Sequence, residues 1–237
     1  MATTFSENKV SLLRKRAQRA RKISEGNIHG WSKSLVDPMK LLEVFTALYV
    51  REGYILRAYI YRAGGDGNAI IWALPVKADF PEPDNCAALE EVFLSPPKPS
   101  DAIDKIMAAI DGDRSPFSYL SASIFAREAA EFGALWHGCI WSDVQILAKN
   151  PWTSKRSLAT NMFNPAESDL WVWNKDRPHT WAPTVEDLGG IIKVAFITFG
   201  VVGQQTINRY TDTYADGKYT FKTEFEELAH GPGGITY

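Results

Sequence analysis

The chain has 237 residues, 45% of them hydrophobic and 23% charged, with a formal net charge of −2. That is ordinary for a soluble globular protein and long enough to bury roughly three quarters of the unfolded surface. It sets up no overall field for nucleic acid or membrane. Cys86 and Cys139 are too few for a disulfide scaffold and fit a reducing, cytoplasmic setting, although one bridge between them stays open. No apolar run approaches the ~20 residues that cross a bilayer. The charged N-terminus lacks the apolar segment of a secretory signal. The unusual count is eight tryptophans. Each brings a large apolar area and one N–H that seeks a partner when buried, which suits a rigid core, a ligand pocket or an interface.

Residues 8–22 form a basic segment. Lys9, Arg14, Lys15, Arg16, Arg19, Arg21 and Lys22 carry seven positive charges with no negative one. Val10, Leu13, Ala17 and Ala20 give a thin apolar stripe, so a weakly amphipathic helix is expected. It reads either as an arm for nucleic acid, anionic lipid or an acidic partner, or as a solvated helix lying across its own domain. After a loop around residues 26–31, Asp37-Pro38 opens a helix whose buried face is Leu41, Leu42, Val44, Phe45 and Leu48. Gly53 ends it.

A hairpin follows, with strands over 54–62 and 69–75 joined by a glycine-rich turn at 64–68. Ile55, Arg57, Tyr59 and Tyr61 share one face of its first strand. A proline-rich connector over 80–99 is expected as an extended crossover, with recognition by a polyproline reader as the alternative. Ser100-Asp101 caps a short helix to Ile110. Ser115-Pro116 starts a longer one to about Leu135, and residues 136–147 read as extended. Residues 149–190 are irregular but hold Trp152, Trp171, Trp173 and Trp181, so a packed wrapping segment is expected rather than disorder. The rest is β: a central strand over 191–199, then a hairpin around Asp216-Gly217 that pairs Tyr214 with Tyr219 and Asp212 with Phe221. A short strand is expected at 235–237.

The chemistry-bearing residues concentrate around 128–143. On the 116–135 helix, Phe125, Ala129, Phe132 and Trp136 form one apolar stripe, and Phe117, Ile124 and Leu135 a second. Glu128 falls between them and Glu131 at the edge. A carboxylate so placed must be ion-paired, or protonated as a general acid is. Arg57 is the expected partner type. His137 follows at the helix end, where it suits acid–base work or a hydrogen bond at a structural joint. An extended chain would align His137, Cys139, Trp141 and Asp143 on one face. Cys139 reads as a buried inert thiol, since thiolate activation needs cationic neighbours or a helix N-terminus. The four histidines show no metal-ligand spacing; a dispersed site of His29, His137 and a carboxylate is the one metal reading left.

The expected architecture is α+β, a largely antiparallel sheet with helices packed on one face. It is expected as a single domain over residues 24–237, preceded by a basic helical arm over 1–23. Two functions follow. One is a small-molecule enzyme of hydrolase or lyase type, without cofactor or metal. Its catalytic groups would be Glu128, Glu131 and His137, and Arg57, Trp136, Trp141 and Asp143 would hold the substrate. The other is a non-catalytic module that binds a protein or nucleic acid through the arm and exposed tryptophans. Oligomeric state is left open.

Overall fold

The computed structural model describes residues 2–23, 29–153, 169–215 and 217–234. Its elements in chain order begin with β1 (Ala2–Thr4), α1 (Glu7–Ala20), β2 (Gly30–Lys33), α2 (Met39–Leu42) and β3 (Leu48–Val50). Then come β4 (Tyr54–Ala63), β5 (Asp66–Pro75), β6 (Ala87–Ala88), β7 (Pro97–Lys98), β8 (Ile110–Gly112) and α3 (Pro116–Ala130). The last are β9 (Gln145–Leu147), β10 (Val172–Trp173), β11 (Thr184–Asp187), β12 (Ile191–Gly200), β13 (Thr206–Ala215) and β14 (Phe221–His230). The fold is mixed but sheet-rich, 37% strand against 22% helix, and its strand pairs are antiparallel. Among the described residues no helix is long and apolar enough to cross a membrane. Close contacts divide the chain into two compact units, Met1–Arg14 with Ser142–Tyr237, and Lys15–Trp141.

The first unit is built on a seven-stranded sheet in the order β1-β11-β12-β13-β14-β10, with β9 as the seventh strand pairing with β12 off this path. β12 is central because its alternation buries Ile192, Val194 and Phe196 on one face and Ile197 and Phe199 on the other. β11 pairs with its first half through Ile192–Ala195, and β9 with its second through Ile197–Phe199. The β13–β14 register pairs Tyr214 with Phe221 and Asp212 with Thr223. The tight Asp216-Gly217 turn expected from the sequence would have placed Tyr219 opposite Tyr214. Instead the ladder resumes at Phe221, with Gly217 at φ +66° and Tyr219 buried outside the ladder. Asp216 itself and the expected terminal strand at 235–237 lie outside the described residues.

The second unit centres on the β4–β5 hairpin, paired from Tyr54 with Pro75 to Ala63 with Asp66. The turn is shorter than expected. Gly64 and Gly65, at φ +57° and +100°, close it alone; two successive left-handed residues make the hairpin turn that follows sheet twist. β2 pairs with the outer side of β4. The proline-rich connector is stitched onto this hairpin by side-chain donors. Trp31 Nε1 donates to Leu94 O at 2.9 Å, Trp72 Nε1 to Pro97 O at 2.8 Å, and Tyr59 Oη to Pro81 O at 2.7 Å.

Three expected helices come out shorter or absent. Asp37 caps the Met39 N–H at 2.9 Å, but α2 lasts one turn. Afterwards Phe45 N bonds Leu42 O and Leu48 N bonds Phe45 O, three-residue turns that break the α ladder while Leu41, Leu42, Phe45 and Leu48 stay buried. The segment from Ser100 forms only a single 3-10 turn at Ile106–Ala109 before β8 pairs with β3. α3 is capped as expected, Ser115 Oγ accepting from Ser118 N at 3.2 Å. It stops at Ala130 rather than near Leu135, with Glu131 out of helical geometry and Gly133 at φ +65°.

Candidate functional site

Glu128 and Glu131 come together around Arg21. Arg21 Nε lies 2.8 Å from Glu128 Oε2 and Nη1 lies 3.0 Å from Glu131 Oε2. Arg21 Nη1 also donates to the Glu131 carbonyl at 2.7 Å. The partner is therefore Arg21, not Arg57. Arg57 is half-buried on the hairpin, and among the described residues its Nη1 reaches only the Leu56 carbonyl, at 3.4 Å. Glu128 Oε1 accepts from Trp141 Nε1 at 3.0 Å, and Glu131 Oε1 accepts from the backbone N–H groups of Ile140 and Trp141. Each of the four carboxylate oxygens thus faces a donor. Glu128 has 0% exposure.

These bonds explain why residues 136–143 are not extended. The Glu131 carboxylate pulls the Ile140 and Trp141 amides back toward the helix end. The chain folds into two 3-10 turns, Trp136–Gly138 and Trp141–Asp143. The strand-like alignment of His137, Cys139, Trp141 and Asp143 does not form. His137 sits in the first turn. Trp136, at φ +44°, is 70% exposed, whereas Trp141 is buried. Arg127 lies over the Trp141 ring at 5.7 Å from its centroid. Asp143 is half-buried and belongs to the other unit.

The seven-stranded unit holds a second constellation, outside the 128–143 stretch on which the sequence centred the candidate site. Its tryptophans pack around one another. Trp152 meets Trp171 at 5.5 Å, Trp173 at 5.9 Å and Trp181 at 6.1 Å between centroids, and Trp173 meets Trp181 at 6.4 Å. The Trp152–Trp171, Trp152–Trp181 and Trp173–Trp181 pairs are edge-to-face, the arrangement favoured by the ring quadrupoles. Trp171 and Trp181 are buried against Ile197, Phe199, Ile207 and Ala229 of the sheet, while Trp152 and Trp173 are partly open. The Arg177 guanidinium stands 5.2 Å from the Trp173 centroid and 5.9 Å from that of Trp152.

The same segment borders an open pocket of about 270 Å³ over the sheet. His179, Thr180 and Thr184 line it from the segment and β11, and Ala195, Ile197 and Arg209 from β12 and β13. Arg209 Nη1 is held at 3.2 Å from Glu226 Oε2 across the β13–β14 pair. The legible signal was the spacing Trp171, Trp173, Arg177, Trp181, a cation four residues from an aromatic on either side. His179 and Arg209 carried none, because only the sheet brings them together.

Among the described residues no group of three or more His, Cys, Asp or Glu side chains is placed to hold a metal ion. Comparison with protein-family models, with curated protein sequences and with solved structures gives no significant match in any of the three.

Proposed function

We propose that the protein binds a small polar ligand on its seven-stranded sheet, in the pocket lined by His179, Thr180, Thr184 and Arg209. The observation that carries this reading is the pocket itself. It pairs an apolar floor of Ala195 and Ile197 with a few convergent donors beside a tryptophan cluster, the usual make-up of a ligand site. At about 270 Å³ it suits a ligand of amino-acid size. Its lining holds one imidazole and no carboxylate or thiol to share a proton with, which favours binding over acid–base turnover. The test is a ligand-detected NMR screen of amino-acid-sized compounds against wild type, Arg209→Ala and Thr184→Val. Hits should weaken about tenfold in the variants, the worth of one charge-assisted hydrogen bond. Hits unaffected by both, or none at all, would reject the pocket.

The tryptophan-lined enzyme site expected near Glu128 and His137 is better read as a structural lock. Glu128 is fully buried, Glu131 nearly so, and both carboxylates are ion-paired to Arg21, which favours a structural role over contact with a substrate. A macromolecular partner for the basic helix is the second reading. Lys15, Arg16, Arg19 and Lys22 are exposed, and none has an ion-pair partner among the described residues. Affinity of the intact chain for heparin or DNA that falls steeply between 50 and 200 mM salt would support it. Cys86 and Cys139 are free thiols, which supports a reducing, cytoplasmic setting.

A further inference from the structure

We infer that the tryptophan cluster is a cation cage, that Arg177 is its resident occupant, and that the ligand of this unit carries an alkylammonium group that takes Arg177's place. This rests on the small-ligand reading above and adds the charge of the ligand. Three observations converge. Four indoles pack against one another with centroids within 6.4 Å, three of the pairs edge to face, into one aromatic cluster. Two of them, Trp152 and Trp173, are the partly open members and present their rings to a guanidinium at 5.9 and 5.2 Å. That guanidinium belongs to an exposed residue with no carboxylate partner among the described residues.

Indole is the strongest of the aromatic partners for a cation, and boxes of aromatic rings are how proteins recognise quaternary ammonium and methylated lysine groups. A guanidinium over ring faces at an exposed site is held by contacts worth only about 0.5–1 kcal/mol. It is also tethered on a flexible, solvated side chain, which makes it displaceable. The floor of the cage is firmer. Trp171 and Trp181 are packed into the sheet core, and Gly231 approaches so closely that a Cβ there would lie 2.7 Å from Trp171 Cζ2. Trp171 and Trp181 are thus anchored in the sheet core independently of Arg177. Arg177 and Trp181 are also in sequence with the pocket residues His179 and Thr180, so one segment supplies both a cation box and the donors beside it. The buried Nε1 of Trp173 has no acceptor among the described residues, and a ligand acceptor next to its ammonium would satisfy it.

The experiment uses choline and its uncharged isostere 3,3-dimethylbutan-1-ol as probes, read by tryptophan emission and calorimetry on the full chain. Wild type should bind choline weakly. Arg177→Ala should bind it about tenfold tighter, because the resident cation no longer competes. The isostere should bind neither protein appreciably. Adding Trp173→Ala to Arg177→Ala should abolish the gain. Arg177→Gln keeps the side chain's length and should show the same gain if the alanine variant folds poorly. A natively folded Arg177→Ala or Arg177→Gln protein that does not respond to choline overturns the cage. Equal binding of the isostere overturns the cation requirement while leaving the pocket reading intact. That pocket reading fails separately, if the NMR screen finds no hit sensitive to Arg209.

Discussion

Arg21 Nε and Glu128 Oε2 meet at 2.8 Å, with side chains 6% and 0% exposed. Glu131 completes the group at 3.0 Å. Removing the cation leaves two buried carboxylates without their counter-charge, and breaking one side of such a group typically costs about 3–5 kcal/mol. Arg21→Ala is therefore expected to lose that much stability in urea unfolding. A loss below about 1 kcal/mol would mean that water reaches the carboxylates, and would reopen Glu128 as a functional group.

Trp141 and Trp136 separate the buried lock from its surface. Trp141→Phe keeps an aromatic ring but removes part of the buried indole together with its donor to Glu128 Oε1, and the hydrogen bond to a charged acceptor alone is worth about 1.5–3 kcal/mol. Trp136 is 70% exposed. Its replacement by glycine, which accepts the positive φ freely, should cost less than Trp141→Phe in the same unfolding assay. The reverse order would contradict the assignment of the buried partner.

Tyr59 predicts an alkaline weakness. Burial of its hydroxyl, reinforced by the 3.2 Å contact with Cys86 Sγ, pushes its pKa well above the ordinary tyrosine value. The folded state therefore keeps a proton that the unfolded state gives up near pH 10. The stability this contributes is complete below about pH 10 and falls as the pH rises beyond it. Tyr59→Phe should flatten that slope. At neutral pH it should lose roughly 0.5–1.5 kcal/mol for the bond to the Pro81 carbonyl. Denaturant titrations at pH 8 and pH 11 check both effects.

At the start of α3 the sign is opposite. The Ser115 side-chain hydrogen bond holds Asp113 below the usual carboxylate range, and its Oδ1 also accepts from Ser115 N at 2.9 Å. Its contribution is present above the unfolded value near 3.9 and is lost as pH falls through the depressed folded value. Asp113→Asn should flatten the acid limb of the stability curve. Ser115→Ala should cost about 1 kcal/mol for the lost N-cap, and should flatten the acid limb too, because the same hydroxyl holds Asp113 down.

The legible parts of the fold were those set by local rules. The Ser115 cap, the Gly64-Gly65 turn and the apolar run of β12 depend on neighbours in sequence, and each element formed where its signal lay. The burial of Glu128 was readable too, since helical spacing alone puts it between two apolar stripes. Its partner was not. Arg21 looked like one of seven arm cations, and only the fold shows that it turns inward. The extended reading of 136–143 failed because the Glu131 carboxylate reaches backbone amides nine and ten residues on, an interaction that no periodicity reports. The four wrapping tryptophans announced packing, but the guanidinium among them and the His179–Arg209 pocket needed the sheet to assemble.

The decisive measurement is an amide and indole proton–nitrogen NMR titration with choline, with the tryptophan Nε1–H signals assigned by single Trp→Phe variants. Trp152, Trp171, Trp173 and Trp181 share the proposed cage, and Trp141 belongs to the lock. Saturable shifts of the cage indoles with Trp141 unmoved are the predicted result. Shifts confined to Trp136 and Trp141, or none at any of the four cage indoles, would contradict the placement of the ligand site on the seven-stranded sheet.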